Sequence, residues 1–173
     1  MLSFQELSAQ FNQQFDTQHF PATPNTLYAP GEYFLTIGGK RIRPVMCMMG
    51  NELFSDIHPD AFVVARAIEL FHNFTLVHDD MMDEANLRRG MPTVHTKYDS
   101  NTALLVGDVM LIRAYEFLQN VQPSYLPKIF KIFKSFNLIP FPLFIHKKSN
   151  KTLFNNAELF DMPSIYKRSE ERR

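Results

Sequence analysis

An all-α fold is predicted from three observations. Apolar residues recur at spacings of three and four along most of the first 120 positions, prolines and paired glycines separate those stretches, and no strand signal survives beside them. The 173 residues suffice for one domain with a real core and are too few for two. No internal repeat is visible.

The first helix is expected over Leu2 to Phe15, where Phe4, Leu7, Phe11 and Phe15 share a face. Pro21, Pro24 and Pro30 interrupt the chain after it. A short helix from about Pro30 should stop at Gly38-Gly39, because paired glycines end helices and allow close backbone approach. Pro44 is placed to open the next helix, through Met46, Met48 and Met49 to about Phe54, and the methionines read as core filler. Pro59 starts a long helix with Ala61, Val64, Ala65, Ile68, Phe71 and Leu76 as its buried stripe. A loop from Glu84 to Pro92 comes after it. The next helix, Ser100 to Leu118, carries Leu104, Leu105, Met110, Leu111 and Phe117.

Beyond about residue 120 the composition changes, with seven of the nine lysines and seven of the 17 phenylalanines in the last 53 positions. The run Ile129 to Phe136 can form a basic amphipathic helix suited to a membrane surface. The prolines at 140 and 142, an Asn/Lys-rich stretch and the charged end from Lys167 to Arg173 read instead as a tail with little folding logic of its own.

Formal neutrality hides an asymmetry: residues 121–173 hold ten basic and four acidic side chains, residues 1–120 eight and fourteen. Bulk charge therefore gives no reason to expect nucleic acid, and the few clustered cations, as in Lys40-Arg41-Ile42-Arg43, suit a small anion. The single Cys47 excludes an internal disulfide and reads as a small buried side chain. The N-terminus shows no signal-peptide pattern and no segment has the length of a membrane span, so a cytoplasmic protein is expected.

The chemistry is concentrated in Val77-His78-Asp79-Asp80-Met81-Met82-Asp83, followed by Arg88-Arg89. These carboxylates fall at the C-terminal end of a long helix, where the helix dipole repels them and Glu84 adds another acid, so positive compensation is expected. Asp79 and Asp83 are one turn apart on one face, roughly 6 Å, a spacing that lets both hold Mg²⁺. Arg88 and Arg89 could neutralise the cluster through ordinary surface salt bridges instead. Acids and arginines together favour diphosphate, since Mg²⁺ joins carboxylates to phosphate oxygens and guanidinium matches phosphate geometry. Glu69, His72, Leu76, Asp79 and Asp83 step by three or four and share a face that cannot all be core. For His72 and His78 alone, a structural role is the default.

Gly38-Gly39-Lys40-Arg41-Ile42-Arg43-Pro44, the run Phe71 to Asp83, Leu87-Arg88-Arg89-Gly90 and Pro92-Thr93-Val94-His95, in that order, make the chain resemble the trans-prenyltransferases, the polyprenyl, farnesyl and geranylgeranyl diphosphate synthases. The likeness runs to about residue 120, and toward Phe133. It implies part of an isoprenoid-synthase helical bundle that condenses an allylic diphosphate with isopentenyl diphosphate, as a homodimer. By that resemblance Asp79 and Asp83 ligate Mg²⁺ with Asp80 in support, Lys40, Arg43, His72 and Arg89 hold isopentenyl diphosphate, and Arg88 contacts the allylic diphosphate. Phe74 and Thr75, just before the acids, occupy the positions that limit product length, and a non-aromatic Thr75 looks geranylgeranyl-type.

The resemblance also implies a second aspartate-rich motif on a later helix. Asp161 is the only aspartate after Asp108, so that motif is absent here. Residues 1–120 are therefore expected to be the N-terminal part of the synthase domain and residues 121–173 a divergent tail, disordered or frameshifted after Lys134. Little catalysis is expected of the isolated chain. The rivals are a non-catalytic truncated subunit that binds or regulates a full-length synthase, and a terpene cyclase, in which Lys40, Arg43 and Arg89 would have no second diphosphate to hold.

Overall fold

The computed structural model describes residues 1–15 and 19–138. In chain order these form α1 (Phe4–Phe15), α2 (Asn25–Thr36), α3 (Ile42–Glu52), α4 (Pro59–Met82), a two-stranded ribbon of β1 (Leu87–Arg88) and β2 (Met91–Pro92), α5 (Val94–Lys97), α6 (Ser100–Leu118) and α7 (Leu126–Leu138). The expected all-α class holds. The chain falls into two compact units, Met1–Leu126 and Pro127–Arg173. Of the expected tail, residues 121–138 are described and residues 126–138 of these form α7, and residues 139–173 lie outside the described residues.

Four helix starts have a local cause. Ser3 and Glu6 form a reciprocal capping box, Ser3 N–H to Glu6 Oε2 at 2.7 Å and Glu6 N–H to Ser3 Oγ at 3.3 Å, ahead of the buried Leu7, Phe11 and Phe15. Asp99 caps α6 by accepting from the Thr102 N–H at 2.8 Å. Pro59 opens α4 as its first residue, where its missing N–H loses nothing. α2 starts earlier than its prolines suggest: the N–H groups of Leu27 and Tyr28 bond the Pro24 carbonyl, and Pro30 sits buried within the helix. A proline this near the N-terminus forgoes one hydrogen bond without ending the helix.

Helix α4 is the centre of the first unit, packed most extensively on α6 and next on α3, while α1 lies on α3 and α2 on α6. Being covered on more than one side, α4 buries Leu70, Val77, Glu69 and Asn73 as well as Ala61, Ala65 and Phe71, a wider band than the single stripe expected. Val64, Ile68 and Leu76 are only half-buried. On α6 the buried row is Ala103, Val106, Met110, Ala114 and Leu118, with Leu104 and Leu105 exposed, contrary to the sequence pattern. Small residues there let α4 approach closely. Full burial of each large side chain, such as Phe11, Met48 or Leu118, contributes about 1.5–3 kcal/mol. Of the methionines expected as core filler, Met48 is buried and Met46 faces outward. Burial pushes the half-buried Cys47 thiol up to about 11, so it is inert at neutral pH. No helix among the described residues is long and apolar enough to cross a membrane.

Candidate active site

The acidic end of α4 lies against the segment just after it. Asp79 is half-buried, Asp80 buried, and Asp83, exposed, caps the helix by donating its N–H to the Asp79 carbonyl at 2.8 Å. Asp80 faces Arg88, whose Nε donates to Oδ2 and Nη2 to Oδ1, both at 2.7 Å. Two parallel bonds from a planar fork make this the strongest geometry for such a pair. The carboxylate nearest the core is therefore matched by a cation from the loop, and Asp79 and Asp83 occupy the outer face.

The segment carrying Arg88 is a tight hairpin, Leu87 paired with Pro92 and Arg88 with Met91, where a loop was expected. Arg89 and Gly90 form its turn with φ of 53° and 81°, the backbone that a two-residue hairpin with right-handed twist requires. Such a short ribbon has no alternating run to betray it in sequence. Two anchors hold it. The Thr93 hydroxyl, fully buried, donates to the Ala85 carbonyl at 2.8 Å, and the Tyr33 hydroxyl of α2 donates to the Pro92 carbonyl at 2.7 Å.

The turn delivers Arg89 to the glycine pair between α2 and α3. A Cβ added to Gly39 would come within 3.1 Å of Arg89 Nη1, so the guanidinium passes over bare backbone there. Gly38, at φ 75°, makes the turn itself. Lys40 is next, exposed, and Arg43 in the first turn of α3 donates from Nη1 to His72 Nε2 at 3.0 Å. Arg43, Arg88 and Arg89 all act on His72, and burial with those three cations pushes its pKa down to about 4. At neutral pH the ring is uncharged and, accepting at Nε2, carries its proton on Nδ1. The structure thus brings Arg43, His72, Arg88 and Arg89 into one positive patch beside the acids.

Phe74 and Thr75 lie on the same helix. Phe74 is half-buried, edge-on to Phe71 with ring centroids 5.2 Å apart and to His78 at 5.3 Å, and the Thr75 hydroxyl donates to the His72 carbonyl at 2.7 Å. His78 has the structural role expected of it: Nε2 donates to the Leu104 carbonyl at 3.1 Å and the ring fills the space above Gly107. Sequence reasoning gives no role to Tyr33, Thr93 or Arg41, and it places Glu69 only on the face it shares with His72. No group of three His, Cys, Asp or Glu side chains able to hold a metal is found among the described residues.

The Polyprenyl synthetase family model matches residues 24–138, well over half of the chain. The chain belongs to the polyprenyl synthetase family. Among curated members of that family, the geranylgeranyl pyrophosphate synthase of Geoglobus acetivorans is 46% identical over 95 residues, covering 55% of this chain and 30% of the relative. The geranylgeranyl diphosphate synthase of Sulfolobus acidocaldarius is 45% identical over 92 residues, 53% of this chain and 28% of the relative. The chain spans about 30% of the length of these relatives. A crystal structure of a geranylgeranyl pyrophosphate synthase matches 78% of this chain and 41% of its own at a TM-score of 0.74 and 41% identity. The heptaprenyl diphosphate synthase of Staphylococcus aureus matches 88% and 49% at a TM-score of 0.73 and 27% identity.

Proposed function

We propose that this polyprenyl synthetase chain carries the first-aspartate half of a prenyl diphosphate synthase site, serving the condensation of an allylic diphosphate with isopentenyl diphosphate. The observation that carries the reading is the convergence of the glycine loop, α4 and the hairpin, which sets Arg43, His72, Arg88 and Arg89 beside Asp79, Asp80 and Asp83. Opposite charges so close suit a ligand that is itself anionic and metal-bound.

Asp79 and Asp83 would hold Mg²⁺, and they fit it: Mg²⁺ takes one or two carboxylates and completes its shell with water and phosphate oxygens. Bound there, the ion would withdraw charge from the departing diphosphate of the allylic substrate. Arg88, kept in register by Asp80, presents its remaining guanidinium edge to the same diphosphate. Lys40, Arg43, His72 and Arg89 take the diphosphate of isopentenyl diphosphate, with neutral His72 donating from Nδ1 and adding no charge that would compete with the metal. Phe74, packed on Phe71, closes the space into which the chain grows, and the non-aromatic Thr75 beside it supports a geranylgeranyl-type product. The family resemblance further supports a cytoplasmic homodimer, which sedimentation of the purified chain tests.

The reading is tested by calorimetric titration of the chain with a non-hydrolysable allylic diphosphate analogue, with and without Mg²⁺. We expect binding heat that needs Mg²⁺ and vanishes in Asp79→Ala; identical heats with and without the ion in a folded sample would refute it. Steady-state condensation by the 173-residue chain is expected to be weak. Two carboxylates hold less than a full metal cluster, and an open cavity leaves the allylic cation to water.

The second reading is a non-catalytic subunit that binds or regulates a full-length synthase. Stoichiometric co-purification with a full-length synthase supports it.

A further inference from the structure

Between Lys40 and Arg43 the chain makes an inward step. Arg41 has φ 51°, a left-handed backbone that non-glycine residues rarely adopt, and its side chain is buried while both Lys40 and Arg43 are exposed. Arg41 Nη1 meets Glu69 Oε1 at 2.5 Å, with both side chains 6% exposed. Its Nε donates to Asn12 Oδ1 at 3.3 Å, and its guanidinium lies 4.7 Å above the Phe15 ring. One cation thus ties α1, the glycine loop and α4 together. Glu69 is one turn before His72 on α4, and its charge acts on that histidine as well.

These facts fit poorly with a pair kept for stability alone. A buried ion pair gives back in attraction roughly what it loses in desolvation, and apolar replacements of similar volume are often as stable. The left-handed step is a further expense unless its direction matters. Its direction is the one that turns Lys40 and Arg43 outward and puts Arg43 on His72. The pair has an electrostatic side too. Glu69 is a buried acid beside a patch of cations, and Arg41, by occupying it, keeps that carboxylate from competing with a diphosphate for Arg43.

We infer that Arg41 and Glu69 are positioning residues of the diphosphate site, a buried clamp that aims Lys40 and Arg43 and withholds Glu69 from them. The inference rests on the function proposed above and extends it to two residues that touch no substrate.

The test uses inorganic pyrophosphate with Mg²⁺ as probe, monitored by calorimetry on the chain, on Glu69→Gln, and on the double variant Arg41→Met, Glu69→Met. Charge alone predicts that Glu69→Gln tightens pyrophosphate binding, since a negative charge disappears. A clamp predicts the opposite sign, a weakening of about tenfold, as expected when a residue that orients a ligating group is lost. The double variant, with an apolar pair in place of the ionic one, should melt close to the parent temperature and still bind about tenfold more weakly. Parent-like or tighter binding in both folded variants overturns the inference. So does loss of fold in both, because the pair would then hold the chain together rather than aim a loop. If only one variant folds, that one decides by the same criterion. A parent that binds no pyrophosphate in a folded sample refutes the proposed function itself, a result distinct from unchanged binding in the variants.

Discussion

Arg88 and Asp80 meet fork to fork across two bonds of 2.7 Å, joining the last turns of α4 to a hairpin eight residues further on. The carboxylate is 5% exposed and the guanidinium 19%, so this is a pair withdrawn from solvent. Arg88→Met strands the Asp80 charge and is expected to destabilise the fold by about 3 kcal/mol, read from urea unfolding. A loss below about 1 kcal/mol, the worth of an exposed pair, would show that water screens it.

His72 gives a pH signature. Its folded pKa of about 4 lies below the ordinary 6.5, so the unfolded chain binds a proton that the folded chain refuses. Stability from this residue is present above pH 6.5 and is lost as the pH falls toward 4. Allowing for the partial exposure of the ring, the loss is on the order of 2 kcal/mol. Urea unfolding of the parent and of His72→Gln across that window should show the parent losing more; parallel curves would contradict the assignment.

Gly107 exists for His78. A methyl group there would overlap the imidazole, which is wedged between Phe74 and the Leu104 carbonyl. Gly107→Ala should destabilise by about 1–3 kcal/mol through overpacking, despite the better helix propensity of alanine. Adding His78→Ala should recover part of the loss, and thermal melts of the single and double variants measure the coupling.

Tyr33 reaches from α2 to the hairpin, and Lys97 sits 3.4 Å over its ring. Tyr33→Phe removes one hydrogen bond, worth about 1 kcal/mol, while keeping the ring and that cation contact. The amides of residues 87–91 should exchange faster with solvent, with the amides of α4 unchanged. Uniform acceleration over the whole unit would mean that Tyr33 supports the core and not the hairpin.

Much of the fold is legible in the sequence because helices are coded locally. The spacing of Leu7, Phe11 and Phe15, the proline opening α4 and the Ser100 to Leu118 helix all arise from rules that act within a few residues. The motif residues too are legible, since Asp79 and Asp83 must share a face on any helix. Local pattern fails where cover comes from several directions: Glu69 lies on the polar face it shares with His72 and the acids yet is buried, and Leu104 and Leu105 read as part of the apolar pattern and are exposed. The hairpin escapes because a turn with left-handed Arg89 has no signature beyond Gly90.

The sequence by itself determined the all-α class, the starts of α4 and α6 and the family, since each depends on residue identity at fixed spacing along one segment. Only the tertiary structure decided which charges meet. Arg88 on Asp80, Arg43 on His72 and Arg41 on Glu69 join positions 8 to 29 residues apart, and their pairing depends on how α3, α4 and the hairpin pack. Coulomb attraction is strong enough to matter only at contact and out of water, and spacing along the chain says nothing about which cation arrives there.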